Sequence, residues 1–122
     1  MQEKVIVAVD AMGGDHAPEE IVKGVLEALE QYKDVERVFF VGQTEAIEPL
    51  LADKNRAKIE IVPAAEVIDM ADHPATAYRR KKDASITVAT KLVKEGQADA
   101  VISAGSTGGQ MVAALFGLGR IK

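Results

Sequence analysis

A five-residue run of apolar, mostly β-branched side chains, Val5-Ile-Val-Ala-Val9, leads directly into Asp10-Ala-Met-Gly-Gly-Asp-His-Ala-Pro18 and then into a helical pattern. Few folds accommodate that succession. An unbroken apolar run of this length reads as a strand buried on both faces, as in a parallel sheet. Gly13 and Gly14 carry no Cβ, so the backbone there can turn sharply or pass close to another chain segment or a ligand. Pro18 suits the first position of a helix, where its missing N–H costs nothing. Glu19 and Glu20 follow where the helix dipole favours acids. Ile21, Val22, Val25, Leu26, Leu29 and Tyr32 then recur at helical spacing and form one apolar face.

The same alternation continues along the chain. Arg37-Val-Phe-Phe-Val41 predicts a second strand, closed by Gly42. Thr44 is the expected cap of a short helix from Glu45, with Ile47, Leu50 and Leu51 inward and Pro49 starting it late or kinking it. Lys58-Ile-Glu-Ile-Val62 alternates and predicts a third strand, stopped by Pro63. Residues 64–82 are irregular: Asp72-His-Pro74 signals a turn, with His73 a surface turn residue, and a helix is expected over Ala75–Lys82. Asp83 is the expected cap of the next helix, whose apolar face is Ile86, Ala89, Leu92 and Val93 and whose end is Gly96. Ala98-Asp-Ala-Val-Ile102 predicts a strand, Ser103–Thr107 a loop and Gly108–Leu118 a helix.

Strands alternating with helices predict one α/β domain over 1–122, a mainly parallel sheet with right-handed crossovers and helices on both faces. The apolar fraction, 48% of 122 residues, is mostly Ala, Val, Ile and Leu with three Phe, two Tyr and no Trp, which suits such a sheet. The formal net charge of −4 argues against nucleic-acid binding. With no cysteine in these residues there is no disulfide, thiolate zinc site or cysteine nucleophile. Asp10 interrupts the N-terminal apolar run, so neither a secretory leader nor a transmembrane helix is expected.

In open α/β sheets, ligands bind at the carboxyl ends of strands. Asp10, Asp15 and His16 stand in one such place, as either functional groups or turn and cap residues. The second is Ser103-Ala-Gly-Ser-Thr-Gly-Gly109, which follows one strand and opens a helix. There backbone N–H groups and hydroxyls can converge on an anion, or simply cap the helix. It is neither a Walker A nor a dinucleotide motif. Arg79-Arg-Lys-Lys82 is a basic run in an acidic chain, read as a solvated face, a phosphate contact or a surface for an acidic partner. Glu66, Asp69 and Asp72 have no spacing that requires a metal. The residues thus point to phosphate or a phosphorylated small molecule and leave the reaction open.

Val7-Ala-Val-Asp-Ala-Met-Gly-Gly-Asp-His-Ala-Pro18 closely resembles the opening of the bacterial phosphate acyltransferases of phospholipid synthesis, the PlsX family. Glu66-Val-Ile68 with Asp72-His-Pro74, Tyr78-Arg-Arg-Lys-Lys-Asp83, and Ala98-Asp-Ala-Val-Ile-Ser-Ala-Gly-Ser-Thr-Gly108 running on to Gly119-Arg-Ile-Lys122 extend the resemblance in order over the whole chain. It implies a Rossmann-like three-layer sandwich akin to isopropylmalate dehydrogenase and the phosphotransacetylases. The implied reaction is transfer of an acyl group from acyl carrier protein to inorganic phosphate, with no cofactor or metal, in a cytoplasmic homodimer that touches the membrane peripherally. A phosphotransacetylase-like enzyme using coenzyme A thioesters and a non-catalytic phosphate- or carrier-binding module are the alternatives. By this resemblance His16 is the acid/base or oxyanion donor, with Asp10 and Asp15 orienting its loop. Gly13, Gly14, Ser103, Gly105, Ser106, Thr107 and Gly108 form the phosphate cradle, and Arg79 and Lys81 assist with phosphate or carrier protein. Many family members have Asn-Thr-Gly-Ala where this chain has Ser106-Thr-Gly-Gly109, so a shorter donor stands at 106. The family also runs well beyond these residues, which implies that this chain is an N-terminal part and holds part of a site.

Overall fold

The computed structural model describes residues 4–52, 56–67 and 73–105. Four parallel strands, β1 (Val5–Asp10), β2 (Val35–Gly42), β3 (Ile59–Pro63) and β4 (Ala100–Ile102), form one sheet in the order β3-β2-β1-β4. Val9 lies beside Phe40 on one side and Ile102 on the other, so the apolar run that opens the chain is a central strand. Its neighbours explain why it needs no polar residue until Asp10.

Side-chain alternation divides the core. Val9, Val38 and Phe40 pack with Val22 of α1 (Glu19–Gln31) and with Ile47 and Leu51. Ala8, Phe39 and Val41 face the other way, onto Ala89 and Leu92 of α4 (Ser85–Lys94). The two faces are therefore covered by different helices, the arrangement the period-two and period-3.6 patterns predict. The remaining helices are short: α2 (Thr44–Ile47), which runs into a 3-10 turn at Glu48–Leu51 carrying Pro49 near its start, and α3 (Pro74–Arg80). The kink expected at Pro49 is thus a change of helix type.

Several local expectations are corrected. Pro18 is the N-cap of α1 rather than its first helical residue, and its carbonyl accepts the Val22 amide. Thr44 is the first residue of α2, with Gln43 as N-cap and no side-chain cap bond. Asp83 does not cap α4: Ala84 is the N-cap, while the Asp83 carboxylate accepts the Ala65 amide at 2.8 Å. A side chain able to serve its own helix is here used across the chain. His73 gains a role, since its ring Nδ1 accepts the Thr76 amide at the start of α3 at 3.5 Å. The expected helix over 108–118 lies outside the described residues.

Gly24 is an exposed residue inside α1, and a Cβ there would meet nothing within 4 Å. Glycine in a helix interior costs backbone entropy that alanine does not. Gly24→Ala is expected to raise stability by about 0.5–1 kcal/mol, read as a higher denaturant midpoint. An unchanged or lowered midpoint would mean that this face of α1 is not open.

Candidate functional site

The strand order turns back on itself at β1. The chain passes from β1 through β2 to β3 on one side, then returns to place β4 on the other. The loops leaving the carboxyl ends of β1 and β4 therefore start side by side at this turning point, the position where open α/β sheets bind ligands. Both glycine loops start there.

Asp10 is the junction. The alternation of β1 turns it toward the α4 face, and it is 3% exposed. Its Oδ1 accepts the Met12 amide at 3.1 Å and the Ser85 hydroxyl at 2.5 Å. Its Oδ2 accepts the Ser103 hydroxyl at 2.8 Å. Among the described residues all of these partners are uncharged. The carboxylate also sits at the first residue of α4, where the partial positive charge of the helix end favours an anion. Three directed hydrogen bonds and that dipole together offset the cost of burying the charge.

Ser103 passes the connection on. Its Oγ, donating to Asp10, accepts the Gly105 amide at 3.1 Å. The two glycine loops then meet backbone to backbone. A Cβ on Gly13 would stand 2.7 Å from the Gly105 nitrogen and 2.9 Å from Asp10 Oδ2. Gly14 has φ +96° and its Cβ would lie 3.2 Å from the Ala104 carbonyl oxygen. The paired glycines are thus there for approach as well as for turning. Gly13→Ala is expected to destabilise by about 1–3 kcal/mol, because backbone must move to admit the methyl. Gly42→Ala is expected to cost less, since its nearest atoms belong to the side chains of Met12 and Ile47 and none to backbone. Paired denaturation midpoints check this, and equal costs would contradict the close approach at Gly13.

Asp15 and His16 are exposed on the turn between Gly14 and α1. The His16 carbonyl accepts the Glu20 amide at 3.1 Å, which fixes the backbone. Its imidazole has no hydrogen bond among the described residues, so it is open to solvent or a ligand. Arg79 is exposed on the last turn of α3. Lys81 is half-buried and its Nζ donates to the Val67 carbonyl at 2.7 Å, so it fastens the segment after β3. Ser106, Thr107 and Gly108 lie outside the described residues, as do Asp69 and Asp72.

One residue at this junction escaped the sequence reading. Ser85 is 1% exposed, and besides its bond to Asp10 its amide donates to the Glu66 carbonyl at 2.8 Å. A serine beginning a helix carries no signal of a partner 75 positions away. The only local hint is its place immediately before the apolar face of α4. Elsewhere, a groove of about 580 Å³ lined by Val22, Leu26, Leu29 and Leu50 runs along α1 and shares no residue with either glycine loop.

A family model described as fatty acid synthesis protein matches residues 5–122. A phosphate acyltransferase from Desulfitobacterium hafniense is 62% identical over 117 residues, covering 95% of this chain and 34% of that protein. One from Heliobacterium modesticaldum is 59% identical over 119 residues, 95% of this chain and 35% of that protein. One from Listeria monocytogenes is 53% identical over 116 residues, 95% of this chain and 34% of that protein. The chain spans about a third of the length of the curated relatives it matches.

Proposed function

The chain belongs to the fatty acid synthesis protein family, and from that premise we propose that its reaction is the transfer of a fatty acyl group from acyl carrier protein to inorganic phosphate. The product is an acyl phosphate for phospholipid synthesis. The observation that carries this reading is the meeting of two glycine loops at the turning point of the sheet, held by a buried carboxylate and flanked by an open histidine. The names of the relatives support the acyltransferase part of it.

In this reaction a phosphate oxygen attacks the thioester carbonyl carbon. The new C–O bond gives a tetrahedral oxyanion, which collapses with loss of the C–S bond, and the departing thiolate takes up a proton. The enzyme must hold the phosphate dianion in place and stabilise the oxyanion. In our reading Gly13 and Gly14 with the loop from Ser103 to Gly108 form the cradle. His16 donates to the oxyanion or to the leaving sulfur, and Asp10 and Asp15 orient its loop. The Gly105 amide donates to Ser103, so in this reading it shapes the loop rather than meeting the anion directly. Arg79, Lys81 and their basic neighbours serve the phosphate or the acidic carrier protein. The chain acts as one α/β unit of a longer cytoplasmic enzyme that works as a homodimer with peripheral membrane contact. No helix among the described residues is long and apolar enough to cross a membrane.

The test is phosphate-dependent loss of acyl thioester from acyl carrier protein by the full-length gene product, with acyl phosphate trapped as a hydroxamate. Coenzyme A thioester runs in parallel. Trapped product from the carrier protein supports the proposal. Turnover from coenzyme A thioester alone would move the chain to phosphotransacetylase chemistry. Phosphate binding by a folded protein with no turnover from either donor would leave a binding module.

A further inference from the structure

Ser85 is where three separate strand-end segments are joined. Its hydroxyl donates to Asp10, at the end of β1. Its amide donates to the carbonyl of Glu66, in the segment that follows β3. Through Asp10 it shares a carboxylate with Ser103, which follows β4 and accepts the Gly105 amide. Neighbouring bonds reinforce the seam, since the Glu66 amide donates to the Asp83 carbonyl and the Ala65 amide to the Asp83 carboxylate. Without Ser85 the Asp10 Oδ1 keeps the Met12 amide of its own loop at 3.1 Å and the Oδ2 keeps Ser103, but no donor from α4 then ties the carboxylate to that helix. A carboxylate gripped on both oxygens by hydroxyls from different elements cannot rotate without breaking a bond. Ser85, at 1% exposure, is too enclosed for water to replace its hydroxyl freely.

We propose that Ser85 is a positioning residue for the anion cradle: it locks the Asp10 carboxylate, and through it the Ser103–Gly105 loop, in register with the Gly13–Gly14 loop. It touches neither substrate nor the reacting atoms. The inference rests on the phosphate acyltransferase reading for its kinetic consequence, and on geometry alone for its structural one. Small displacements at a site of this kind cost turnover steeply, so loss of the lock is read in kinetics before it is read in the fold.

The experiment uses the full-length enzyme with Ser85→Ala, Ser103→Ala, the double variant, and Thr90→Val. Thr90 is a buried hydroxyl on the same helix that, among the described residues, bonds only to the Ile86 carbonyl within α4, so it reports the cost of merely altering that helix. Ser85→Ala is expected to lower turnover with phosphate on the order of tenfold to a hundredfold. Thr90→Val is expected to keep wild-type turnover. The double variant should be no slower than Ser103→Ala, because both act through one carboxylate. Amide exchange in residues 100–105 should quicken in Ser85→Ala and stay unchanged in Thr90→Val. Wild-type turnover in Ser85→Ala, or losses that multiply in the double variant, would overturn the proposal. Ser85→Cys keeps the shape of the side chain in a slightly larger group with only a weak donor, and supplies the same readouts if the alanine variant does not fold. If the wild type has no acyltransferase activity, the reaction assigned above is lost. The exchange measurement then still decides whether Ser85 holds the loop, and unchanged exchange would overturn that.

Discussion

Asp10→Ala is expected to cost roughly 3 kcal/mol or more of stability, and to abolish activity in whatever fraction remains folded. The substitution removes the shared acceptor of three donors, the Met12 amide and the hydroxyls of Ser85 and Ser103. Each buried donor left without a partner costs about 1–3 kcal/mol, and relief from burying a charge returns part of the sum. Against a domain stability of about 5–15 kcal/mol this is a large share. Asp10→Asn separates the charge from the hydrogen bonds. The amide oxygen still accepts, and a serine hydroxyl can rotate to accept from the amide nitrogen. Its expected loss of stability is therefore smaller. Urea midpoints of the three proteins decide the matter. An alanine variant with the wild-type midpoint would show that this carboxylate does not hold the loops together.

His16→Ala is expected to do the reverse, lowering turnover by about 10²–10⁴-fold while leaving the fold intact. The ring is exposed and makes no hydrogen bond among the described residues, so deleting it breaks nothing that stabilises the chain. Its backbone carbonyl, which receives the Glu20 amide, survives the substitution. Acyl phosphate trapping on the full-length enzyme, beside a thermal unfolding curve, reads both quantities. Near-normal acyl phosphate formation would remove His16 from the mechanism. The contrast between positions 10 and 16 is itself informative. The two polar residues on one loop differ in setting: Asp10 is buried and joins the loops, while His16 is exposed.

The elements carried by periodic patterns were legible before any coordinates. The apolar run at Val5–Val9, the helical spacing from Ile21 to Leu29 and the face Ile86, Ala89, Leu92 fall where the spacing places them, whereas Tyr32, expected on the apolar face of α1, is its C-cap and is exposed. Local periodicity survives because tertiary packing rewards the same faces. Caps were less legible, since a cap residue chooses among several backbone donors. Asp83 serves Ala65 instead of its own helix, and the shift between these options is decided by contacts absent from the local sequence. The candidate site was legible as two loops but not as one structure. Asp10, Ser85 and Ser103 converge because the sheet order brings together segments 75 and 93 positions apart. No pattern of neighbouring residues encodes that.

The strand order also fixes when the site can exist. During synthesis β1, β2 and β3 can pair as they emerge, since each is close in sequence to the next. The far edge of β1 must wait for β4, across a loop closure of 93 residues from Asp10 to Ser103. Long closures are slow because chain entropy must be given up before the contact forms. Until then a nascent chain exposes one flank of β1 and an Asp10 without its last partner. A nascent chain at that stage would have three strands paired and its two glycine loops not yet joined. Completion of the carboxylate junction is thus the last step in joining the two glycine loops, and it comes only after the other three strands can pair.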